Sequence, residues 1–272
     1  MTTRCTNLDY VCFVIPAERK RRLLAQARQH GVISLSEASG DLGVSEATLR
    51  RDLDDLAAQG LLVRTRGGAT VPEGEAREPT FTEKSTEARL EKEAIGLAAL
   101  DFVSRGDPIL IGPGTTTFAF ARQLRSIGDL MVVTNSLLVV EALMDAPGID
   151  LIVTGGSFRH SIRALVGPGV TESLAPLRLP TVFMSGNGLS ATRGLSTPDV
   201  LVASADRALV GAADRCIVLA DHTKFGKERM WVTVPPDRIH FVVTDDKVPT
   251  RDLAAIREAG IETFVAAAGQ AD

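Results

Sequence analysis

From its amino end the chain shows apolar residues at helical spacing. Between Ala17 and Gln29, Leu23, Leu24 and Ala27 share one face, which predicts a helix stopped by Gly31. Leu35 to Leu42 reads as a second, short helix, weakened by Gly40 at about 1 kcal/mol relative to alanine. Gly43-Val44 makes a turn. Ser45 is then placed to cap a third helix, Glu46 to Gln59, whose Leu49, Leu53 and Leu56 recur at i, i+4 and i+7, with Gly60 as its stop. Leu61 to Val71 reads as two short strands around Arg66-Gly67-Gly68, a small hairpin. Residues 1–15 show neither period nor cap and read as a disordered N-terminal extension.

The rhythm then changes. Pro72 to Pro79 is a polar run containing Pro and Gly and marks a boundary. It separates a domain at 16–71 from one at 81–272, with 72–80 as linker. A charged amphipathic helix, about Glu83 to Leu100, leads into the second domain. Short apolar strands alternate with helices after it: Pro108–Ile111, Met131–Thr134, Leu151–Thr154, Thr181–Ser185, Cys216–Ala220, His240–Thr244 and Glu262–Val265. This alternation predicts a mainly parallel, doubly wound α/β sheet covered on both faces.

Composition narrows the function classes. Hydrophobic residues are 44% and charged residues 24% of the 272, the balance of a globular protein. No apolar run approaches the roughly 18 residues that span a bilayer, and Tyr10–Ile15 is too short for a secretory core, so the expected location is cytoplasmic, with no membrane partner. Three cysteines, Cys5, Cys12 and Cys216, give neither a disulfide framework nor a metal-ligand pair, and no cofactor is expected. Net charge is −4, which at first argues against nucleic acid. The charge is uneven, however: Pro16 to Val71 carries nine Lys/Arg against seven Asp/Glu, so any DNA contact belongs to this part and the acidic excess to the rest.

Three helices and a hairpin in some 55 residues describe a winged helix-turn-helix, whose third helix enters the major groove. With Leu49 centred on the buried face, the helical period puts Ala47 and Arg51 nearly opposite and Thr48 and Arg50 to either side. Small, hydroxyl and guanidinium groups suit close approach, phosphate contact and bidentate reading of guanine. Arg64 and Arg66 of the hairpin are expected to touch the flanking backbone. The competing reading makes Arg50 and Arg51 ordinary solvated charges.

The run Gly43-Val44-Ser45-Glu46-Ala47-Thr48-Leu49-Arg50-Arg51-Asp52-Leu53 resembles the signature of the DeoR family of bacterial regulators, as does Gln59-Gly60-Leu61-Leu62 through Arg66-Gly67-Gly68-Ala69. The resemblance implies that Thr48, Arg50 and Arg51 contact DNA. Gly40 and Asp41 depart from the family, which usually has helix-forming and apolar residues there.

In a parallel α/β sheet, ligands gather at the carboxyl ends of the strands. Here those ends offer Gly112-Pro113-Gly114-Thr115-Thr116-Thr117, Asn135-Ser136, Gly155-Gly156, Gly186-Asn187-Gly188 and Asp221-His222-Thr223-Lys224. Glycines let backbone approach an anion, threonine hydroxyls and free N–H groups hold its oxygens, and Lys224 offers a fixed positive charge. One such loop alone is more often a helix cap. The DeoR resemblance extends through this region, on Val133-Thr134-Asn135-Ser136, Leu165-Val166-Gly167-Pro168, Thr197-Pro198-Asp199 and Lys224-Phe225-Gly226, and so covers about 17–266. It implies a sensor domain similar in fold to ribose-5-phosphate isomerase, binding phosphorylated sugars or related metabolites, repression of carbon-metabolism genes relieved by the effector, and a homo-oligomer. Three departures are visible: Gly112-Pro113 before the Gly-Thr run, Ser185-Gly186-Asn187-Gly188 where the family has Gly-Ala-Asp-Gly, and Asp206 where a lysine is common. The added carboxylate favours a less anionic effector.

Two other readings stay open. A sugar-phosphate isomerase would need a positioned carboxylate or histidine base. Ser185 and Asn187 stand where its acidic pair would be, and His160 and His222 have no orienting carboxylate evident in sequence. An interaction module with a degenerate helix-turn-helix would bind no specific DNA.

Overall fold

The computed structural model describes residues 15–30, 32–59, 61–70 and 80–267. The expectations for residues 1–14, Gly31, Gly60, Val71 and the linker Pro72–Pro79 lie outside these. Two compact units are present, one within Met1–Arg77 and one within Glu78–Asp272.

The first unit has helices α1 (Pro16–His30), α2 (Leu35–Leu42) and α3 (Glu46–Ala58), with strands β1 (Val32–Ser34), β2 (Val63–Thr65) and β3 (Gly68–Thr70). The expected hairpin is β2–β3, but β3 lies between β2 and β1, giving a three-stranded antiparallel sheet. The strand β1 is too short to show a period. Ser45 caps α3 as expected: its Oγ accepts from the Thr48 N–H. Leu23, Ala27, Ile33, Leu35, Ala38, Leu49, Leu53, Leu56, Leu62 and Ala69 form the core. Beneath it, Arg19 grips Asp52 with both Nε and a terminal nitrogen (3.2 Å to Oδ1), and both side chains are buried.

The second unit opens with α4 (Phe81–Thr86) and α5 (Arg89–Ala98), where the sequence pattern predicts one helix over Glu83–Leu100. The break is a tertiary effect. Buried Lys92 donates its Nζ to the carbonyls of Lys84 and Glu87, which a continuous helix would use itself, and Ala88 turns left-handed at φ 50°. Thr80 and Glu83 close a capping box at the start of α4.

Seven parallel strands follow: β4 (Pro108–Ile111), β5 (Leu130–Thr134), β6 (Ile149–Val153), β9 (Leu179–Met184), β12 (Ala213–Leu219), β14 (Phe241–Asp245) and β15 (Glu262–Ala266). Their order is β15-β14-β12-β9-β4-β5-β6. From β4 the chain winds out to β6, and from β9 it winds the other way to β15, so the sheet is doubly wound with its switch point between β4 and β9. Alternate strand residues feed two cores. Ile109, Ile111, Phe183, Ile217 and Val243 face α5, α6 (Thr115–Leu124) and α7 (Leu137–Leu143). Leu110, Val182, Met184, Val218 and Val242 face α8 (Pro168–Leu174), α9 (Val200–Gly211) and α10 (Thr250–Glu258). Two antiparallel additions were not foreseen: the hairpin of β7 (Ser157–Arg159) with β8 (Ala164–Val166), and the sheet of β10 (Gly188–Ser190), β11 (Gly194–Thr197) and β13 (Trp231–Val234). No helix among the described residues is long and apolar enough to cross a membrane.

Candidate functional site: a recognition helix and a switch-point cleft

In the first unit the buried leucines turn the opposite face of α3 outward. Ala47, Arg50 and Arg51 are exposed, and Thr48 is half-buried with its hydroxyl 3.0 Å from that of Ser45. Arg50 reaches one turn back to Glu46 (3.1 Å), with both side chains largely in solvent. Such an exposed pair is worth about 0.3–0.5 kcal/mol, too little to keep the guanidinium from a phosphate. Arg51 and Arg66 make no ion pair among the described residues. Arg64 departs from expectation: Asp54 (2.7 Å) and the Gly68 carbonyl hold it, so it braces the hairpin against α3 instead of reaching outward. Asp55 is likewise taken up by Lys20 at 2.6 Å.

In the second unit a cleft of about 540 Å³, its open mouth included, lies at the carboxyl ends of β4 and β9, where the winding reverses. That is where an open α/β sheet leaves a crevice. The residues after β4 (Pro113, Gly114, Thr115) and after β9 (Ser185, Gly186, Asn187) form its floor, and Lys224 joins them. Gly114 is needed there, since a Cβ would stand 2.9 Å from that of Ser185 and 3.2 Å from Thr117 Oγ1. The first-turn N–H groups of α6 start at Thr115 and have no intrahelical acceptor, so an anion is favoured at this end.

Of the residues singled out in the sequence, Gly114, Thr115, Gly186, Asn187 and Lys224 line the cleft. Thr116 and Thr117 are buried behind it, with Thr117 Oγ1 bonded to the Gly114 carbonyl. Asn135 braces β8 through Nδ2 to the Leu165 carbonyl (2.9 Å). Gly155 and Gly156 serve packing: a Cβ on Gly169 of α8 would stand 2.6 Å from the Gly156 nitrogen. Gly188 sits in β10, where a Cβ would meet the Lys227 carbonyl at 2.4 Å. Sequence reasoning missed the walls, Phe81, Lys84, Leu138, Ile162 and Val202, and it noted Asp206 and Ser185 only as departures. Apolar residues on short elements carry no local signal of facing a cleft.

Lys224 is less available than its sequence position suggests. Its ammonium has three N–H donors. One goes to Glu87 Oε2 (2.8 Å) and one to Thr223 Oγ1 (2.7 Å), while fully buried Asp221 lies 3.9 Å away. Lys92 lies 3.8 Å from the same Asp221. Burial lowers the pKa of Lys92, and the nearby Asp221 charge opposes that only in part. Burial pushes the Glu87 carboxyl up, but the Lys224 hydrogen bond and the charges of Lys224, Lys92 and Lys227 outweigh it, so its pKa lies below the ordinary value. Cations Lys84, Lys92 and Lys224 are thus balanced by Glu87, Asp206 and Asp221 in and behind the cleft.

The lining holds one carboxylate, Asp206, and no histidine. His222 does have an orienter that the sequence hid: Asp245, at 3.0 Å from its Nδ1. Neither residue lines the cleft. No cluster of three or more His, Cys, Asp or Glu among the described residues is placed to hold a metal ion.

Comparison with known proteins agrees with this division. Residues 19–75 match the DeoR-like helix-turn-helix domain family, and residues 87–246 match the DeoR C terminal sensor domain family. The HTH-type transcriptional regulator GlpR of Haloferax volcanii is 30% identical over 248 residues, 91% of this chain and 97% of that one. The glycerol-3-phosphate regulon repressor of Escherichia coli (strain K12) is 27% identical over 245 residues, 90% of this chain and 97% of its own. A D-ribose-5-phosphate isomerase in complex with phospho-erythronic acid aligns with 49% of this chain and 52% of its own at 19% identity and a TM-score of 0.36, a likeness too distant to carry an argument.

Proposed function

This chain belongs to the DeoR family of DNA-binding transcriptional regulators, and from that premise we propose that it represses genes of sugar or related carbon metabolism until a metabolite fills the switch-point cleft. The observation that carries the DNA half is α3: capped by Ser45 and anchored by Leu49, Leu53 and Leu56, it leaves Arg51 outward and unpaired among the described residues. We assign base reading to Arg51, with Ala47, Thr48, Arg50 and Arg66 as neighbouring contacts. Arg51→Ala should lose about 1–3 kcal/mol of specific binding, the value of one bidentate base contact. In a gel-shift titration against operator and random DNA, unchanged discrimination would overturn the assignment. One recognition helix reads few base pairs, so we take the active form to be a homo-oligomer on repeated half-sites, working in the cytoplasm where the DNA is. The same titration should show tight binding only to the paired site.

The effector we infer is a phosphorylated sugar or a similar, less anionic polyhydroxylated metabolite. The α6 N-terminus, Thr115 and the remaining Lys224 N–H suit one anionic group, and Asp206 suits hydroxyl donors. Balanced charge around the cleft gives no net attraction for a second anionic group. Thr115→Val keeps the shape and removes the hydroxyl. It should leave operator binding intact and weaken effector binding about tenfold, the worth of a hydrogen bond to a charged group. Calorimetry with a panel of free and phosphorylated sugars checks this, and binding of none of them to the native chain would refute the cleft as the sensor.

A further inference from the structure

We propose that Phe81 and Lys84 are effector-binding residues, so that the short helix α4, the first described element after the segment leading from the DNA-binding unit, is itself part of the sensor's ligand site. The inference rests on the cleft reading above and adds an element that occupancy would hold in place.

Both side chains line the cleft, yet α4 has no buried residue. Its docking depends on a few tethers. The Phe81 N–H donates to the Ser161 carbonyl (2.7 Å), the Phe81 ring meets Phe118 of α6 edge-on at 6.1 Å, and the Arg163 guanidinium lies 4.5 Å from the ring centroid. Behind it, Lys92 ties down the carbonyls of Lys84 and Glu87, and Lys224 holds the Glu87 side chain. An element with so little buried surface opens locally at small cost. A ligand that touches Phe81 and Lys84 on one side, and the α6 N-terminus and Lys224 on the other, binds the docked state of α4 better than the open state. It therefore shifts the population toward docking. By linkage, whatever favours docked α4 tightens the ligand to the same degree.

The test uses the full chain with inorganic phosphate as probe, read by calorimetry and by amide hydrogen exchange over residues 81–86. Phosphate should bind the native chain and slow exchange in α4. Lys84→Gln should weaken phosphate about tenfold and remove that protection, while Lys84→Arg restores both. Thermal unfolding without phosphate should differ little among the three, because no residue of α4 is fully buried. Should Lys84→Gln bind phosphate as tightly as the native chain, or α4 exchange be indifferent to bound phosphate, the inference is wrong while the cleft reading stands. Should neither phosphate nor any sugar phosphate bind the native chain, both fall.

Discussion

Replacing Asp52 by alanine is expected to bring the DNA-binding unit to the verge of unfolding and to weaken operator binding, with the sensor unit left folded. Asp52 lies on the inward side of α3 and is 5% exposed; Arg19 of α1 is 8% exposed and holds it through two nitrogens. Removing one member of a buried pair takes away the other charge's carboxylate partner, at a cost of about 3–5 kcal/mol. A unit of this size buries a modest core and has a stability near the low end of the usual range, about 5 kcal/mol. The two numbers are close, so little stability should remain and up to about half of the variant's recognition unit should be unfolded. Urea denaturation followed by circular dichroism should show the first unit's transition lost or shifted far down, with the second unchanged. The double replacement Arg19→Met with Asp52→Leu should recover much of the loss, since an apolar pair of similar volume needs no desolvation of charge. A cost under about 1 kcal/mol for the single variant would show that solvent reaches the pair and screens it.

Lys92→Met should be nearly as damaging to the second unit. Methionine keeps the length of the side chain and removes the ammonium. Two carbonyls, of Lys84 and Glu87, lose their donor, and fully buried Asp221 loses one of its two lysine neighbours, keeping Lys224 at 3.9 Å and the hydrogen bonds from Thr223. We expect a loss of about 3 kcal/mol, from the two carbonyls left without a donor and the weakened pairing of Asp221. Loosening of α4 should follow, because the two carbonyls at its C-terminal turn lose the ammonium that both accept from. A fall in melting temperature with rapid exchange over residues 81–88 is the expected outcome. Asp221→Asn in the Lys92→Met background should relieve part of the cost by removing the buried charge, and no relief would rule out the electrostatic cause.

These variants mark where the chain's one-dimensional pattern stops being informative. Strands β4, β5, β9, β12 and β14 are legible because buried parallel strands need unbroken apolar runs, and the chain has them at Pro108–Ile111 and its later counterparts. The third helix is legible because its cap, leucine spacing and outward arginines all lie within one stretch. The missed parts have in common that their meaning depends on a distant partner. Asp52 reads as one more surface acid until Arg19, 33 residues earlier, is brought to it. Arg64 reads as a phosphate contact until Asp54 claims it. The helix expected from Glu83 onward breaks at Ala88 because a lysine folds back on its carbonyls, which no propensity records.

Local patterning therefore determined the helices of the first unit and five of the seven parallel strands, that the N-terminal fifth reads DNA and that the rest is a doubly wound sheet, because hydrophobic period and capping act between neighbours along the chain. Tertiary structure alone decided which glycine-rich loops meet at the cleft and which only let backbones pack. It also decided that Phe81 and Lys84 stand beside those loops and that Lys224 arrives already engaged. The order of strands in the sheet fixes which loops are adjacent, and short-range pattern carries no information about that order.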